Sequence, residues 1–232
     1  MKRMKVLVCF LLLASAVSLY AEDGKAIFDG KTLNGWDGDP KLWSVQDGAI
    51  TGKTTIIKQN TFLIWKGGEL KDFELRLKYR IENGNSGVQF RSRITNPDRW
   101  VVGGYQADME AGDNYSGILY EEKGRGILAQ RGQKVRIEAD GKKTVIGSVG
   151  DSDAIQAQIK KKDWNDYVII AKGNHIIQKI NGLTTVEVID DQEDKRSMSG
   201  VLAFQVHVGP PMTVQFKDIV LKELDASGAM SP

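Results

Sequence analysis

Cysteine is nearly absent from this chain. The one cysteine, Cys9, lies inside an apolar N-terminal run, so the rest of the chain can form no disulfide and must hold together by core burial. Histidine is scarce too: only His175 and His207 are present. Charge of one sign is also lacking. The formal net charge of +2 includes Lys2, Arg3 and Lys5, and without those three it falls near −1. A near-neutral chain has no electrostatic case for nucleic acid as a partner. Long hydrophobic runs are missing as well, except for Val6 to Leu19.

That run follows the basic Lys2, Arg3 and Lys5 and ends in Ser-Leu-Tyr-Ala before a polar stretch. The pattern predicts a secretory signal peptide over residues 1–21 and an exported protein, periplasmic or extracellular. The run is too short and too close to the terminus for a convincing membrane span, so no membrane partner is expected after cleavage. Cys9 sits within the run rather than at its end, which argues against a lipid-anchoring role. Residues 22–232 remain, about 210 residues, enough for one large domain.

Strand patterns fill that length. DFELRLKYRI alternates Phe73, Leu75, Leu77, Tyr79 and Ile81 with Glu74, Arg76, Lys78 and Arg80, the period of a half-buried strand. Turn pairs such as Asp47-Gly48, Asn83-Gly84 and Asn181-Gly182 recur between apolar stretches. Only DAIQAQIKKKDW has a helical pattern. The expected fold is all-β, an antiparallel sandwich, with NSGVQFRSRI continuing the meander from the strand before it.

Three strands carry an unusual polar face. Alternation puts Gln89, Arg91 and Arg93 opposite Val88, Phe90 and Ile94. It puts Gln106, Asp108 and Glu110 opposite Tyr105, Ala107 and Met109, and Gln205 and His207 opposite Phe204 and Val206. A plain solvated face accounts for such residues, but amides, carboxylates and guanidinium groups also suit a hydroxyl-rich ligand. If the strands are neighbours, these residues converge in a groove, with Trp100 and Tyr105 available for stacking. Gly103-Gly104 reads as a bulge or close approach. The acidic run Asp190, Asp191, Glu193 and Asp194 reads as a solvated loop.

FDGKTLNGW, WSVQDGAITG, DFELRLKYRI, NSGVQFRSR, GGYQADME and FQVHVGPPMTVQFKDIVLKEL, in that order, resemble the 3-keto-disaccharide hydrolase domain family over about residues 24 to 224. The resemblance implies a jelly-roll sandwich of the concanavalin A-like lectin and glucanase type. It also implies an exported bacterial enzyme that cleaves 3-keto-glycosides, with a carbohydrate as its partner. The family's Gln-x-His-Gly motif maps onto Gln205 and His207, although Val208 intervenes before Gly209.

A ketone at C3 acidifies the C2 proton. Its removal and loss of the C1 aglycone, followed by addition of water, complete net hydrolysis. His207, Asp108 and Arg91 are the catalytic candidates. Gln106, Glu110, Gln89, Gln205, Tyr105 and Trp100 are the candidates for binding sugar. No cofactor is certain. A divalent metal is a possible alternative to the arginine as electrophile, but no tight metal-ligand spacing assigns a ligand set. Direct glycosidase chemistry needs carboxyl groups about 5 to 9.5 Å apart across the bond. Asp108 and Glu110 lie side by side on one strand, which supports that route only weakly. A non-catalytic carbohydrate-binding module on the same sandwich is the competing reading.

Overall fold

The computed structural model describes residues 24–224. The signal-peptide expectation for residues 1–21 lies outside the described residues. Two sheets face each other. The larger, of ten strands, runs β12 (Lys143–Ser148), β11 (Gln133–Ile137), β15 (Leu183–Asp190), β14 (His175–Ile180), β13 (Asn165–Lys172), β6 (Phe73–Glu82), β17 (Met212–Glu223), β4 (Ala49–Thr54) and β3 (Trp43–Gln46), with β1 (Lys25–Ala26) paired to β17. The smaller, of seven, runs β10 (Gly126–Ala129), β9 (Leu119–Glu122), β8 (Val101–Glu110), β7 (Asn85–Asn96), β16 (Val201–Val206), β5 (Thr61–Trp65) and β2 (Trp36–Asp37). The helical pattern yields one short helix, α1 (Ser152–Ala157), whose N-cap Asp151 accepts a hydrogen bond from the Ala154 N–H at 2.8 Å.

The fold is the all-β sandwich that the alternation implies, with two differences. β11 and β15 pair in parallel, because the chain between them runs through β12, α1, β13 and β14 and returns in the same direction. The segment after Asn83-Gly84 also does not continue a meander within one sheet. Both turn residues have positive φ, 55° and 66°, and the two-residue link carries the chain from β6 in one sheet to β7 in the other.

The inner faces bury the alternating apolar sets. Phe73, Leu75, Leu77, Tyr79 and Ile81 of β6 meet Val88 and Phe90 of β7, Ala107 and Met109 of β8, and Leu202, Phe204 and Val206 of β16 in one core cluster. Phe204 stacks on Phe216 of the opposite sheet at 4.0 Å between ring centroids and on Trp36 at 5.0 Å. The Phe204–Phe216 contact spans the two sheets, while Trp36 packs on Phe204 from within the smaller sheet. The smaller sheet therefore presents its other face, the polar one, away from the core.

Candidate active site

β8 is the centre of the site. Gln106, Asp108 and Glu110 leave its outer face. Gln89 on β7 pairs with Gln106, Gly87 pairs with Asp108, and Asn85 pairs with Glu110. Gln205 of β16 stands beside Phe62 of β5, and His207 follows the end of β16. Gln106, Asp108, Glu110 and His207 line a cavity of about 370 Å³, within the ~300–1,000 Å³ typical of small-molecule sites. Gln89 and Gln205 are fully buried in the floor beneath it.

The floor is a chain of hydrogen bonds. The Ser92 hydroxyl donates to Gln89 Oε1 at 2.6 Å, Gln89 Nε2 to Gln106 Oε1 at 2.7 Å, and Gln106 Nε2 to Asp108 Oδ1 at 2.6 Å. Gln205 Oε1 lies 3.5 Å from Gln106 Nε2, while Gln205 Nε2 is buried without a partner.

Asp108 is only 5% exposed. Burial pushes its carboxyl up to about 8. Hydrogen bonds from Gln106 and Asn85 oppose the rise, and the carboxylates of Glu122 and Glu110 add to it. Tyr120, across the cavity on β9, has its phenol raised by burial, by Glu122 and by Asp108. The His207 ring nitrogen Nδ1 pairs with the Val208 carbonyl, so Nδ1 carries the proton and Nε2 is left for proton transfer.

Two loops frame the mouth. Asn60 donates to Glu122 Oε1 at 3.3 Å and accepts from the Val208 N–H at 2.9 Å, joining opposite walls. Glu110 Oε1 accepts the backbone N–H groups of Asn114 and Tyr115, which holds Tyr115 at the cavity wall with 44% of its surface exposed. Ile118, Tyr120 and Ile127 make that side of the cavity apolar and aromatic.

Three sequence candidates lie elsewhere. Arg91 has φ 47° at a bulge where the β7–β8 register shifts between Phe90 and Arg93. The extra residue changes the parity of the strand and takes the guanidinium off the polar face. It donates to the carbonyls of Lys71 and Gly173, each at 2.6 Å, and to Asp72 Oδ1 at 2.8 Å. Arg91 is therefore a buried structural clamp, outside the cavity.

Tyr105 points into the core, where its hydroxyl donates to Asp190. Asp190 is 1% exposed and also paired with Arg125 at 2.7 Å, while Asp191 pairs with Arg136 at 3.0 Å. These two members of the acidic run are thus interior or paired groups, not a solvated loop. Trp100 caps a 3₁₀ turn (Pro97–Arg99), donates Nε1–H to Asp37 Oδ1 at 2.8 Å and packs beside Phe62, Ile64, Val102 and Ala203. It is not part of the cavity wall.

Sequence reasoning missed Asn60, Asn85, Tyr115, Tyr120 and Glu122. Tyr120 and Glu122 obey the same alternation in GILYEE and were within its reach. The other three come from loops and strand ends, where no period applies. Gly104 is the close approach its sequence context suggested: a Cβ there would lie 2.5 Å from Ser92 Oγ. Among the described residues, no three His, Cys, Asp or Glu side chains gather as a metal-holding group.

A family model for the 3-keto-alpha-glucoside-1,2-lyase-like domain matches residues 23–222. A 3-keto-disaccharide hydrolase of Bacteroides thetaiotaomicron is 34% identical over 88 residues, covering 32% of this chain and 29% of that protein. In structure the chain is similar to a putative glycosyl hydrolase from Parabacteroides distasonis, with a TM-score of 0.59 and 21% identity over 88% of this chain and 95% of that one. It is also similar to the carbohydrate-binding module CBM66 from Bacillus subtilis, with a TM-score of 0.53 and 14% identity over 82% and 96%. These two likenesses establish the sandwich fold alone. The family match spans nearly the whole described chain, and the chain belongs to the 3-keto-alpha-glucoside-1,2-lyase-like domain family.

Proposed function

We propose that this carbohydrate-active protein is an exported enzyme that cleaves 3-keto-glycosides by elimination and hydration. The observation that carries the reading is Asp108, a buried carboxyl held near 8 at the floor of an open polar cavity that also contains His207. A carboxylate with that proton affinity is a much stronger base than an ordinary aspartate and titrates near the working pH.

Asp108 takes the proton from C2 of the keto sugar. The electron pair forms the C1–C2 double bond, and the C1–oxygen bond breaks. His207, entering the step as the imidazolium with protons on both ring nitrogens, delivers the Nε2 proton to the departing oxygen and keeps the Nδ1 proton on the Val208 carbonyl. Water then adds at C1 and a proton returns to C2, giving the free 3-keto sugar. Tyr120, whose phenol stays protonated, is the donor for the ketone oxygen, the role the sequence reading gave to Arg91. A divalent metal is the other electrophile this chemistry admits. The amide of Gln106 and the carboxamides of Asn60 and Asn85, all on the cavity wall, suit ring hydroxyls. The apolar side formed by Tyr115, Ile118 and Ile127 suits the hydrocarbon faces of a sugar.

The test is release of 3-keto sugar from a 3-keto-glucoside by the purified protein, with and without EDTA, beside His207→Ala. Release that His207→Ala cuts about 10²–10⁴-fold supports the assignment, and loss in EDTA assigns the electrophile to a metal. Saturable binding of the glycoside without release would replace the enzyme with a carbohydrate-binding module. Export is part of the proposal and is checked by cell fractionation, where retention in the cytoplasm would contradict it.

A further inference from the structure

The hydrogen-bond chain under the cavity has one polarity, and that polarity has a cause. An ionised Asp108 can only accept, so Gln106 must turn Nε2 toward it. Its Oε1 then faces Gln89 Nε2, and Gln89 Oε1 faces the Ser92 hydroxyl. Every link is 2.6–2.7 Å, and Ser92, Gln89, Gln106 and Asp108 are all buried. In a dry site such a chain polarises cooperatively.

Two glycines make room for it. A Cβ at Gly87, opposite Asp108 in register, would lie 2.4 Å from Gln106 Cγ and 2.6 Å from its Cδ. A Cβ at Gly104 would lie 2.5 Å from Ser92 Oγ. The space over each end of the chain is therefore kept clear for these side chains. The Ser92 hydroxyl has one proton, and Gln89 Oε1 at 2.6 Å is its shortest acceptor; the Phe90 and Tyr105 carbonyls lie farther off, at 3.0 and 3.3 Å.

We propose that Ser92 and Gln89 are positioning residues that act on Asp108 through Gln106: they hold the Gln106 amide with its nitrogen toward the carboxylate and thereby favour the ionised form of Asp108. Neither touches the cavity. Of the charged groups around Asp108, the carboxylates work against its ionisation, and His207 favours it only when it carries its second proton. Glu110 on its own strand and Glu122 on β9 repel it, Tyr120 on β9 and Tyr167 on β13 are phenols near it, and His207 lies across the cavity. The hydrogen bonds that support the charge come from Asn85 and from Gln106, the end of the chain that begins at Ser92.

The role of Asp108 as base rests on the proposed function, but the effect on its proton does not. The first readout is therefore independent of turnover: ¹³C NMR titration of the Asp108 carboxyl in the full protein. Ser92→Ala and Gln89→Met, a near-isosteric change, each move the midpoint up by about one pH unit. Where sugar release is measurable, the acid limb of the rate profile moves up with it, and the plateau rate at high pH recovers. A merely structural role would lower the rate at every pH and leave the midpoint in place. In the unsubstituted protein, the ¹⁵N chemical shift of the Gln89 side-chain amide follows pH with the Asp108 midpoint. A flat Gln89 amide, or folded variants whose Asp108 midpoint stays where it was, would overturn the proposal.

Discussion

Replacing Asp108 with asparagine should change how stability depends on pH in a calculable way. In the unfolded chain an aspartate ionises near its ordinary value of 3.8, whereas in the folded protein it ionises at about 8. The folded state thus holds its proton over a window where the unfolded state has lost it. The stability contributed is fully present below about 4 and is lost as pH rises toward 8, at about 1.4 kcal/mol per pH unit. Over the whole window this amounts to about 6 kcal/mol, an upper bound because water entering on ionisation relaxes the cost. Between pH 5.5 and 8.5 it is about 3 kcal/mol. Asparagine removes the titration while its side-chain oxygen still accepts from Gln106, so the ratio of the two stabilities should tilt with pH. The assay is urea unfolding of both proteins, followed by the fluorescence of the five tryptophans, at each of those pH values. The variant should gain on the parent by about 3 kcal/mol on going to pH 8.5, or about 6–12 °C in Tm. Parallel pH dependences in the two proteins would refute the raised affinity of Asp108, because every other ionisable group is common to both.

Three further outcomes follow from the placement of side chains. Arg91→Met leaves the Asp72 carboxylate with only the Gly173 N–H and without its cationic partner, strips the Lys71 and Gly173 carbonyls of their guanidinium donor, and should cost about 3–5 kcal/mol in unfolding experiments, while the KM of the folded fraction for a 3-keto-glucoside stays unchanged. Tyr105→Phe removes one donor to the buried Asp190 and should cost about 1–3 kcal/mol, measured by thermal melting, with no effect on sugar release. His207→Ala should leave Tm nearly unchanged, since the ring is only partly buried, while the rate of release falls; a drop in Tm matching the rate loss would make His207 structural.

Much of the site was legible because a strand has a period of two. Once GGYQADME and LAFQVHV are read as strands, Gln106, Asp108, Glu110, Gln205 and His207 fall on one face, and the structure puts them there. The same rule failed at Arg91 for a physical reason. One extra residue at a bulge shifts the phase, and nothing in NSGVQFRSRI announces it. Gly104 and Gly200 mark the crowding around that bulge, but only in three dimensions: a Cβ at Gly200 would lie 2.3 Å from the Ser92 carbonyl oxygen. Trp100, at φ 47° after a 3₁₀ turn, lies where alternation has no meaning. Asn60 and Asn85 reach the cavity only because separate segments meet there. The raised proton affinity of Asp108 depends on burial and on Glu122 of a neighbouring strand, neither of which a linear pattern contains.

The most direct test of the central claim is the fate of the C2 hydrogen. A 3-keto-glucoside carrying deuterium at C2 is incubated with the protein and with Asp108→Asn, and the released sugar is examined by mass spectrometry. Release by the protein should be slowed by the deuterium and yield sugar that has exchanged it with water, and Asp108→Asn should do neither. Release at full rate with deuterium retained at C2 would contradict that claim and point to direct hydrolysis.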